Sequence, residues 1–354
     1  MIPGPVDNLG RLQGYHSPQV EVEVRLNTNE SPYGPPVAWV RELQEEAARI
    51  SFHRYPDRQA TELRRDLAAL HGVTPDQVFA ANGSNEVLQT LLLTYGGPGR
   101  SCAVFEPTYA MHSQIAHLTA TTVAVGERSP DFLLDVGEVK RVMAEAQPEV
   151  TFVCSPNNPT GRAEPREVVE EVLELAPGLV VVDEAYAQFS SWHAVDLLAA
   201  DPQLPLVVTR TYSKTWSMAG FRLGYLIGPE GVVAELQKRA LPYHLDSLKQ
   251  VAGRLALRHQ DDMAARVAAL VGERQRLAAR LGQLPVEAWP SDANFVLFRP
   301  LGRSGDEVWQ GLVERSVLVR NCASWPRLDG CLRVTVGTRE ENDRFLAALA
   351  EVLA

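Results

Sequence analysis

One lysine of this chain, Lys214, lies in a segment whose residue types suit covalent chemistry on a carbonyl group. Hydroxyls precede it at Thr211 and Ser213, and a guanidinium follows at Arg222. A lysine amine attacks a carbonyl only when it is partly deprotonated, which enzymes achieve by desolvation and neighbouring cations. The two hydroxyls and the guanidinium could hold a phosphate at the same time. The alternative is a solvated surface lysine, which suits the polar, helix-like surroundings of the other three lysines.

Other candidate residues follow predicted strands, and in an open parallel sheet ligands collect beyond the carboxyl ends of the strands. Ser84 and Asn85 follow the apolar run 78–81 and begin a predicted helix. Free N–H groups at a helix start form a natural phosphate site, although an ordinary capping loop has the same sequence. Tyr109 follows the run 102–106, where its ring could stack on a planar ligand or simply pack.

Two further strand ends carry polar side chains. Asn158 lies in an Asn-Pro-Thr-Gly sequence after the run 151–154. A turn uses the same residues, but an Asn amide held by the following Pro can also donate to a phenolic oxygen. Asp183 follows the apolar run 179–182 and needs a partner, because a buried carboxylate is costly alone. A protonated pyridine nitrogen would be such a partner, with Tyr186 reaching the neighbouring phenolic oxygen.

An acidic strand end also occurs in phosphate-loop ATPases. Their loop requires a Gly-Lys dipeptide, and none occurs in this sequence, which excludes that class. The candidate residues instead supply every group that a pyridoxal 5′-phosphate (PLP) site needs, from the ends of several different predicted strands. In such sites the protein positions and tunes the cofactor, and the cofactor carries the carbanion chemistry. The sequence therefore predicts a PLP enzyme with Lys214 as its catalytic residue.

Short apolar runs alternate with longer amphipathic stretches between about residues 60 and 230, which favours an α/β fold. The predicted strands are 78–81, 102–106, 122–125, 151–154, 179–182, 206–209 and 223–227. The predicted helices are 86–95, 136–146, 165–175 and 194–200. Several strands are apolar without alternation, as expected when both faces are covered. We therefore expect a mainly parallel seven-stranded sheet flanked by helices.

The character of the sequence changes towards the C-terminus. A long run rich in Ala, Arg and Leu, residues 262–281, has strong helix propensity. After it we predict strands at 294–299, 317–320 and 332–336, a helix at 305–316, and a last helix that Thr338 and Glu341 open as a capping box. The predicted division is an N-terminal arm (1–40) that joins the small domain, a large PLP-binding domain (41–254) and a small α+β domain (255–354).

Bulk properties narrow the possible partners. A net charge of −10 and a pI near 5.4 argue against nucleic acid and anionic membranes. The four cysteines show no metal-ligand spacing with the eight histidines, so we expect reduced thiols and no metal. The first residues resemble no targeting signal, and no apolar run is long enough to span a membrane. We expect a cytoplasmic protein.

Motifs spread over nearly the whole chain carry a resemblance to a known family. They are residues 26–34, 54–57, 83–86, 155–161, 182–186, 210–224, 294–295 and 332–337. On these motifs the chain resembles the class II aminotransferases of PLP fold type I, and more narrowly the histidinol-phosphate aminotransferases. The resemblance implies a homodimer with shared active sites, in which Tyr55 reaches the cofactor phosphate of the neighbouring subunit.

The resemblance also implies roles for individual residues. Lys214 would bond to the cofactor, Asp183 would lie at the ring nitrogen, and Tyr109 would lie over the ring. The full implied cofactor-binding set is Ser84, Asn85, Tyr109, Asn158, Asp183, Tyr186, Thr211, Ser213, Lys214 and Arg222, with Tyr55 from the partner. The implied substrate-binding set is Arg333, Arg320, Tyr15 and Asn29, with both arginines on the substrate's anionic group.

The implied activity is reversible transamination between histidinol phosphate and 2-oxoglutarate. An aminotransferase for aromatic amino acids is an alternative, in which Arg333 binds a carboxylate instead of a phosphate. A PLP-dependent decarboxylase of a phosphorylated amino acid would share the phosphate-binding arginines. The PLP-binding half of a transcription regulator is disfavoured, since we find neither room for a DNA-binding domain before Leu26 nor a basic patch.

Overall fold

The computed structural model describes Gly4 and residues 20–354, so Tyr15 lies outside the described residues. The strands of this part of the chain are, in order, β1 (Val24–Leu26), β2 (Val78–Ala81), β3 (Ser101–Glu106), β4 (Thr122–Glu127), β5 (Val150–Cys154), β6 (Leu179–Asp183), β7 (Leu206–Thr211), β8 (Gly224–Ile227), β9 (Val286–Ala288), β10 (Phe295–Pro300), β11 (Val317–Asn321) and β12 (Leu332–Thr335). The α-helices are α1 (Val37–Ala47), α2 (Thr61–His71), α3 (Ser84–Tyr95), α4 (Met111–Leu118), α5 (Val136–Ala146), α6 (Arg166–Leu175), α7 (Val195–Ala200), α8 (Glu230–Arg239), α9 (Ser247–Ala256), α10 (Gln260–Leu281), α11 (Gly305–Glu314) and α12 (Arg339–Leu353).

A seven-stranded sheet with the order β2-β8-β7-β6-β5-β3-β4 organises the first two thirds of the chain. Its five strands from β7 to β4 are parallel, whereas β8 runs antiparallel to both of its neighbours. Strands β5 and β6 are buried at every position, in agreement with their uninterrupted apolar sequences. Helices α3, α4 and α8 cover one face, and α2, α5, α6, α7 and α9 cover the other. The predicted α/β fold with a mainly parallel sheet is confirmed.

A five-stranded sheet with the order β1-β11-β12-β10-β9 packs against α10, α11 and α12. All its pairs are antiparallel except that of β1 with β11. Strand β1 comes from the N-terminal segment and aligns Val24 with Val317. The capping box that opens α12 has the predicted form, since the Thr338 hydroxyl accepts from the N–H of Glu341 and the Glu341 side chain accepts from Thr338.

The predicted element boundaries differ from the structure by small amounts. All seven predicted strands of the large sheet are present, with ends shifted by at most two residues. Sequence reasoning missed the two three-residue strands β1 and β9 and assigned no helix to α2 or α4. The helix-like surroundings predicted for Lys238 and Lys249 are present as α8 and α9. The domain boundaries at residues 40 and 254 stay predictions. Among the described residues, no helix is both long enough and apolar enough to cross a membrane.

A buried ion pair between Arg128 and Glu164 holds the segment after β4 against the large sheet. Arg128 also donates from Nε to the Phe105 carbonyl and from Nη1 to the Phe132 carbonyl, both at 3.1 Å. The second carboxylate oxygen of Glu164 accepts from the N–H of Leu134 at 3.0 Å. Since both charges are removed from water, each depends on the other for compensation.

We expect Glu164→Gln to destabilise the protein by about 3 kcal/mol, because it leaves the Arg128 guanidinium buried beside a neutral amide. The control is Glu171→Gln, which breaks the solvent-exposed pair of Glu171 with Lys140 and should cost less than about 1 kcal/mol. Urea unfolding followed by circular dichroism measures both variants. Equal and small shifts of the unfolding midpoint would contradict a stabilising role for the buried pair.

Candidate active site

A cavity of about 350 Å³ lies at the carboxyl ends of β5, β6 and β7 and extends to β11 and β12 of the other sheet. This size suits a small-molecule ligand. Apart from Tyr55, every predicted site residue in the described part of the chain lines it. These residues are Asn29, Ser84, Asn85, Tyr109, Asn158, Asp183, Tyr186, Thr211, Ser213, Lys214, Arg222, Arg320 and Arg333.

Lys214 places its amine inside this cavity. Its Nζ donates to the carbonyl oxygen of Thr28 at 3.0 Å and lies 5.8 Å from the centre of the Tyr186 ring. Burial, and after it the positive charge of Arg333, lowers the pKa of Lys214 from the usual 10.5 to about 7, against the opposing effect of the Glu30 carboxylate. The amine is therefore partly deprotonated near neutral pH, as nucleophilic attack requires.

Two glycines allow the backbone to form a tight cradle beside Lys214. Gly83 has φ +85°, and a Cβ there would lie only 2.7 Å from Nη2 of Arg222. A Cβ at Gly224 would clash with the N–H of Ser84, the first residue of α3. Any larger residue at either position would push Arg222 or the helix start out of place. Glycine is therefore required at both positions for this close approach.

The cradle presents donors suited to an anion. Arg222 donates from Nη1 to the hydroxyl of Ser213 at 3.2 Å, and the hydroxyl of Thr211 donates to that of Ser213 at 3.0 Å. The N-terminus of α3 directs the N–H groups of Ser84 and Asn85 to the same place, since the first N–H groups of a helix have no intrahelical partner. Hydroxyls, backbone N–H groups and a guanidinium are the set that binds a phosphate.

Asp183 lies at the opposite end of the cavity, and its partner is His112. Nε2 of His112 is 3.0 Å from Oδ2 of Asp183, and both side chains are buried. The imidazole stacks on Phe152, with ring centres 4.6 Å apart, and meets the Tyr109 ring edge-on at 5.4 Å. Oδ1 of Asp183 also accepts from the N–H of Ala185. These four contacts together fix the Asp183 carboxylate and the imidazole beside it.

Sequence reasoning missed His112. One signal was available, because His112 lies only three residues after Tyr109, at the start of α4, and the two rings are in contact. Its partner, Asp183, is 71 residues away in sequence, and only the sheet brings the two together.

The centre of the cavity contains a hydrogen-bonded set that joins both sheets. The phenol of Tyr186 accepts from Nδ2 of Asn29 at 2.9 Å, and Arg333 donates from Nη1 to Oδ1 of Asn158. Arg333 also donates from Nη2 to the carbonyl of Asn27 at 2.9 Å. Burial raises the pKa of Tyr186 to about 12, so its phenol keeps its proton and can donate to a ligand oxygen.

Two arginines face the cavity from the five-stranded sheet. Arg320 of β11 and Arg333 of β12 are directly opposite each other in the antiparallel pair, which puts both side chains on the same face. The Arg333 guanidinium lies 5.0 Å from the centre of the Phe295 ring, and that of Arg320 lies 5.1 Å from the centre of the Trp325 ring. Two guanidinium groups at one place suit an anion with more than one charge.

Tyr55 lies elsewhere on the surface of the chain. Its side chain is 80% exposed, and its ring stacks on Tyr243 with centres 4.5 Å apart. The cavity of its own chain does not include it.

Comparison with known proteins identifies the family. Residues 21–349 match the family described as aminotransferase class I and II. The chain belongs to this family. Relatives within it include the histidinol-phosphate aminotransferases of Mycobacterium avium (strain 104) and Frankia casuarinae. The first is 44% identical over 98% of this chain and 88% of its own length, and the second is 46% identical over 98% and 89%.

A solved structure with the same fold is that of histidinol-phosphate aminotransferase from Sinorhizobium meliloti, in complex with pyridoxal-5′-phosphate. Its TM-score is 0.88, with 20% sequence identity over 100% of this chain and 98% of that one. At this identity the likeness supports the aminotransferase fold, and the predicted fold type I is confirmed.

We expect an acylating reagent to label Lys214 of the cofactor-free protein at a rate that rises through pH 7 and levels off above about pH 8, because its pKa is lowered to about 7. Only the neutral amine reacts, so the labelling rate follows the deprotonated fraction. Mass spectrometry of a proteolytic digest measures Lys214 and, as an internal reference, the exposed Lys140. A Lys214 rate that keeps increasing up to about pH 10 would contradict the lowered pKa.

Proposed function

We propose that this chain is a PLP-dependent aminotransferase that transfers the amino group of histidinol phosphate to 2-oxoglutarate in histidine biosynthesis. The observation that carries the proposal is the arrangement of Arg320 and Arg333 opposite each other, in the same cavity as Lys214 and Asp183. The relatives that are 44% and 46% identical over nearly the whole chain support the choice of substrate through their names.

The residues present fit PLP at both ends of the cavity. The cradle that Gly83 and Gly224 permit would hold the phosphate through Arg222 and its neighbouring hydroxyls. The Asp183 carboxylate would bond to the pyridine nitrogen and keep it protonated, with His112 fixing the carboxylate. The phenol of Tyr186 would donate to the ring oxygen. The chemistry that PLP supplies when bound is delocalisation of the negative charge that develops on the amine-bearing carbon of the substrate.

Lys214 would serve as the base. Its lowered pKa lets Nζ take a proton from the amine-bearing carbon near neutral pH and hold it. The Thr28 carbonyl orients the amine, since it accepts from Nζ at 3.0 Å. Asp183 lies at the other end of the cavity and is already bonded to His112, so it does not compete for that proton.

The two arginines would bind the phosphate of the substrate. Arg333 is buried and held by the Asn158 side chain and the Asn27 carbonyl, so its position is fixed before substrate arrives. A phosphate carries up to two negative charges, which matches two guanidinium groups better than a single carboxylate does. This match favours histidinol phosphate over an aromatic amino acid.

We expect the purified protein with PLP to convert histidinol phosphate and 2-oxoglutarate to glutamate, and to turn over phenylalanine with a much lower kcat/KM. Lys214→Ala should lose at least about a thousandfold in kcat, because it removes the proposed base and covalent attachment point.

Arg320→Gln should raise the KM for histidinol phosphate about tenfold. Its control is Arg299→Gln, which removes a guanidinium lying over Trp289, outside the cavity. A preference for phenylalanine would refute the proposed substrate.

The proposed active enzyme is a homodimer in the cytoplasm. Phe52 and Leu241 are 73% and 77% exposed, and with the stacked pair Tyr55 and Tyr243 they add apolar surface suited to a second copy of the chain. In such a dimer Tyr55 would reach the cofactor phosphate of the partner subunit. The cysteines of the described residues are free and buried, as is usual in a reducing compartment.

We expect Leu241→Glu to shift the protein from dimer to monomer in sedimentation experiments, because it places a charge in the apolar contact. Tyr55→Phe should leave the dimer intact but weaken PLP binding about tenfold, through the loss of one hydrogen bond to a charged group. The exposed Leu301, which we assign no partner role, provides the control Leu301→Glu. A monomer at all concentrations for the unaltered chain would rule out shared active sites.

A further inference from the structure

Trp325 lies in the segment between β11 and β12 and is the side chain on which Arg320 rests. The Arg320 guanidinium carbon is 5.1 Å from the centre of the Trp325 ring, and both residues line the cavity. The indole Nε1 donates to the Thr108 carbonyl at 3.0 Å, across to the end of the large sheet. Trp325 therefore contacts the cavity, an arginine and the other sheet at once.

The surroundings of Trp325 fix its orientation. It packs on a buried cluster of side chains from both parts of the fold: Phe132, Leu297, Cys322, Leu328 and Cys331. The backbone N–H of Trp325 donates to the carbonyl of Cys322 at 3.0 Å, and the backbone N–H of Cys322 donates to the carbonyl of Cys331 at 2.9 Å. Arg327, two residues further on, donates to the carbonyls of Arg128 and Ser129 beyond β4. The ring is held on several sides by groups that do not depend on a ligand.

A fixed aromatic ring restricts the conformations of the Arg320 side chain. A free arginine side chain samples many rotamers, and ordering it on a ligand costs conformational entropy. A guanidinium that lies over an aromatic face is attracted by the ring and keeps a restricted plane. Arg333 opposite is already fixed by its own hydrogen bonds, so fixing Arg320 as well gives the pair a defined spacing.

We infer that Trp325 is a positioning residue that gives the site its selectivity for a phosphate-bearing amino donor, by holding Arg320 at the spacing a phosphate requires. The inference rests on the proposed function and adds the residue that sets its substrate class. The hydrogen bond to Thr108 contributes to the same effect, because it ties the ring to the segment that carries Tyr109.

The test compares Trp325→Leu and Trp325→Phe holoenzymes with the unaltered protein. Trp325→Leu removes the ring and should raise both the KM for histidinol phosphate and the inhibition constant of inorganic phosphate about tenfold, with kcat within about twofold. Trp325→Phe keeps an aromatic face but loses the N–H donor, so increases of about threefold are expected. The KM for glutamate, whose side chain carries a single charge, should change by less than about threefold.

Trp289→Leu is the matched control. Trp289 packs against the same cluster and has Arg299 at 5.3 Å from its ring, but it is not part of the cavity lining. Trp289→Leu should lower the midpoint of thermal unfolding as much as Trp325→Leu does. It should leave unchanged both the KM for histidinol phosphate and the inhibition constant of inorganic phosphate. Unchanged phosphate constants in Trp325→Leu, or an equal rise in the KM for glutamate, would overturn the inference. If the unaltered enzyme does not use histidinol phosphate, the proposed function fails, and inhibition of the glutamate reaction by inorganic phosphate still decides the role of Trp325.

Discussion

The positions of the reactive groups depend on the register of three neighbouring parallel strands. Cys154 at the end of β5 aligns with Asp183 at the end of β6, and Asp183 aligns with Thr209 near the end of β7. Helices cover both faces of this sheet, so a strand that slid by one residue would exchange the side chains packed against the helices on its two faces. The sheet therefore fixes the distance between the carboxylate of Asp183 and the segment that carries Lys214.

Positive charge in the cavity contrasts with the rest of the protein. The chain has a net charge of −10, yet Lys214, Arg222, Arg320 and Arg333 all face one cavity. Such a local field attracts anionic ligands and adds to burial, the larger cause, in lowering the pKa of the lysine amine. The same charges can thus serve recognition and reactivity together, because every proposed ligand carries a phosphate or carboxylate.

Much of this arrangement is predictable from local sequence, and the remainder is not, for a physical reason. Asp183 and Asn158 were identified because each follows an apolar run that is buried on both faces. Such runs can be recognised from the local sequence alone. His112 and Trp325 were missed because each acquires its role from a partner far along the chain, 71 residues away for Asp183 and 217 for Thr108. Strand β1 has only three residues and forms by pairing with β11, which lies near the other end of the sequence.

The N-terminal segment after β1 contributes three backbone acceptors to the cavity, besides the Asn29 side chain that donates to Tyr186. The carbonyl of Asn27 accepts from Arg333, that of Thr28 from Lys214, and that of Asn29 from the side chain of Asn294. A backbone acceptor is the same whatever side chain it carries, so point substitution at these positions cannot remove it. Within this segment, the positions of the three acceptors should therefore change through insertions and deletions that move the segment as a whole.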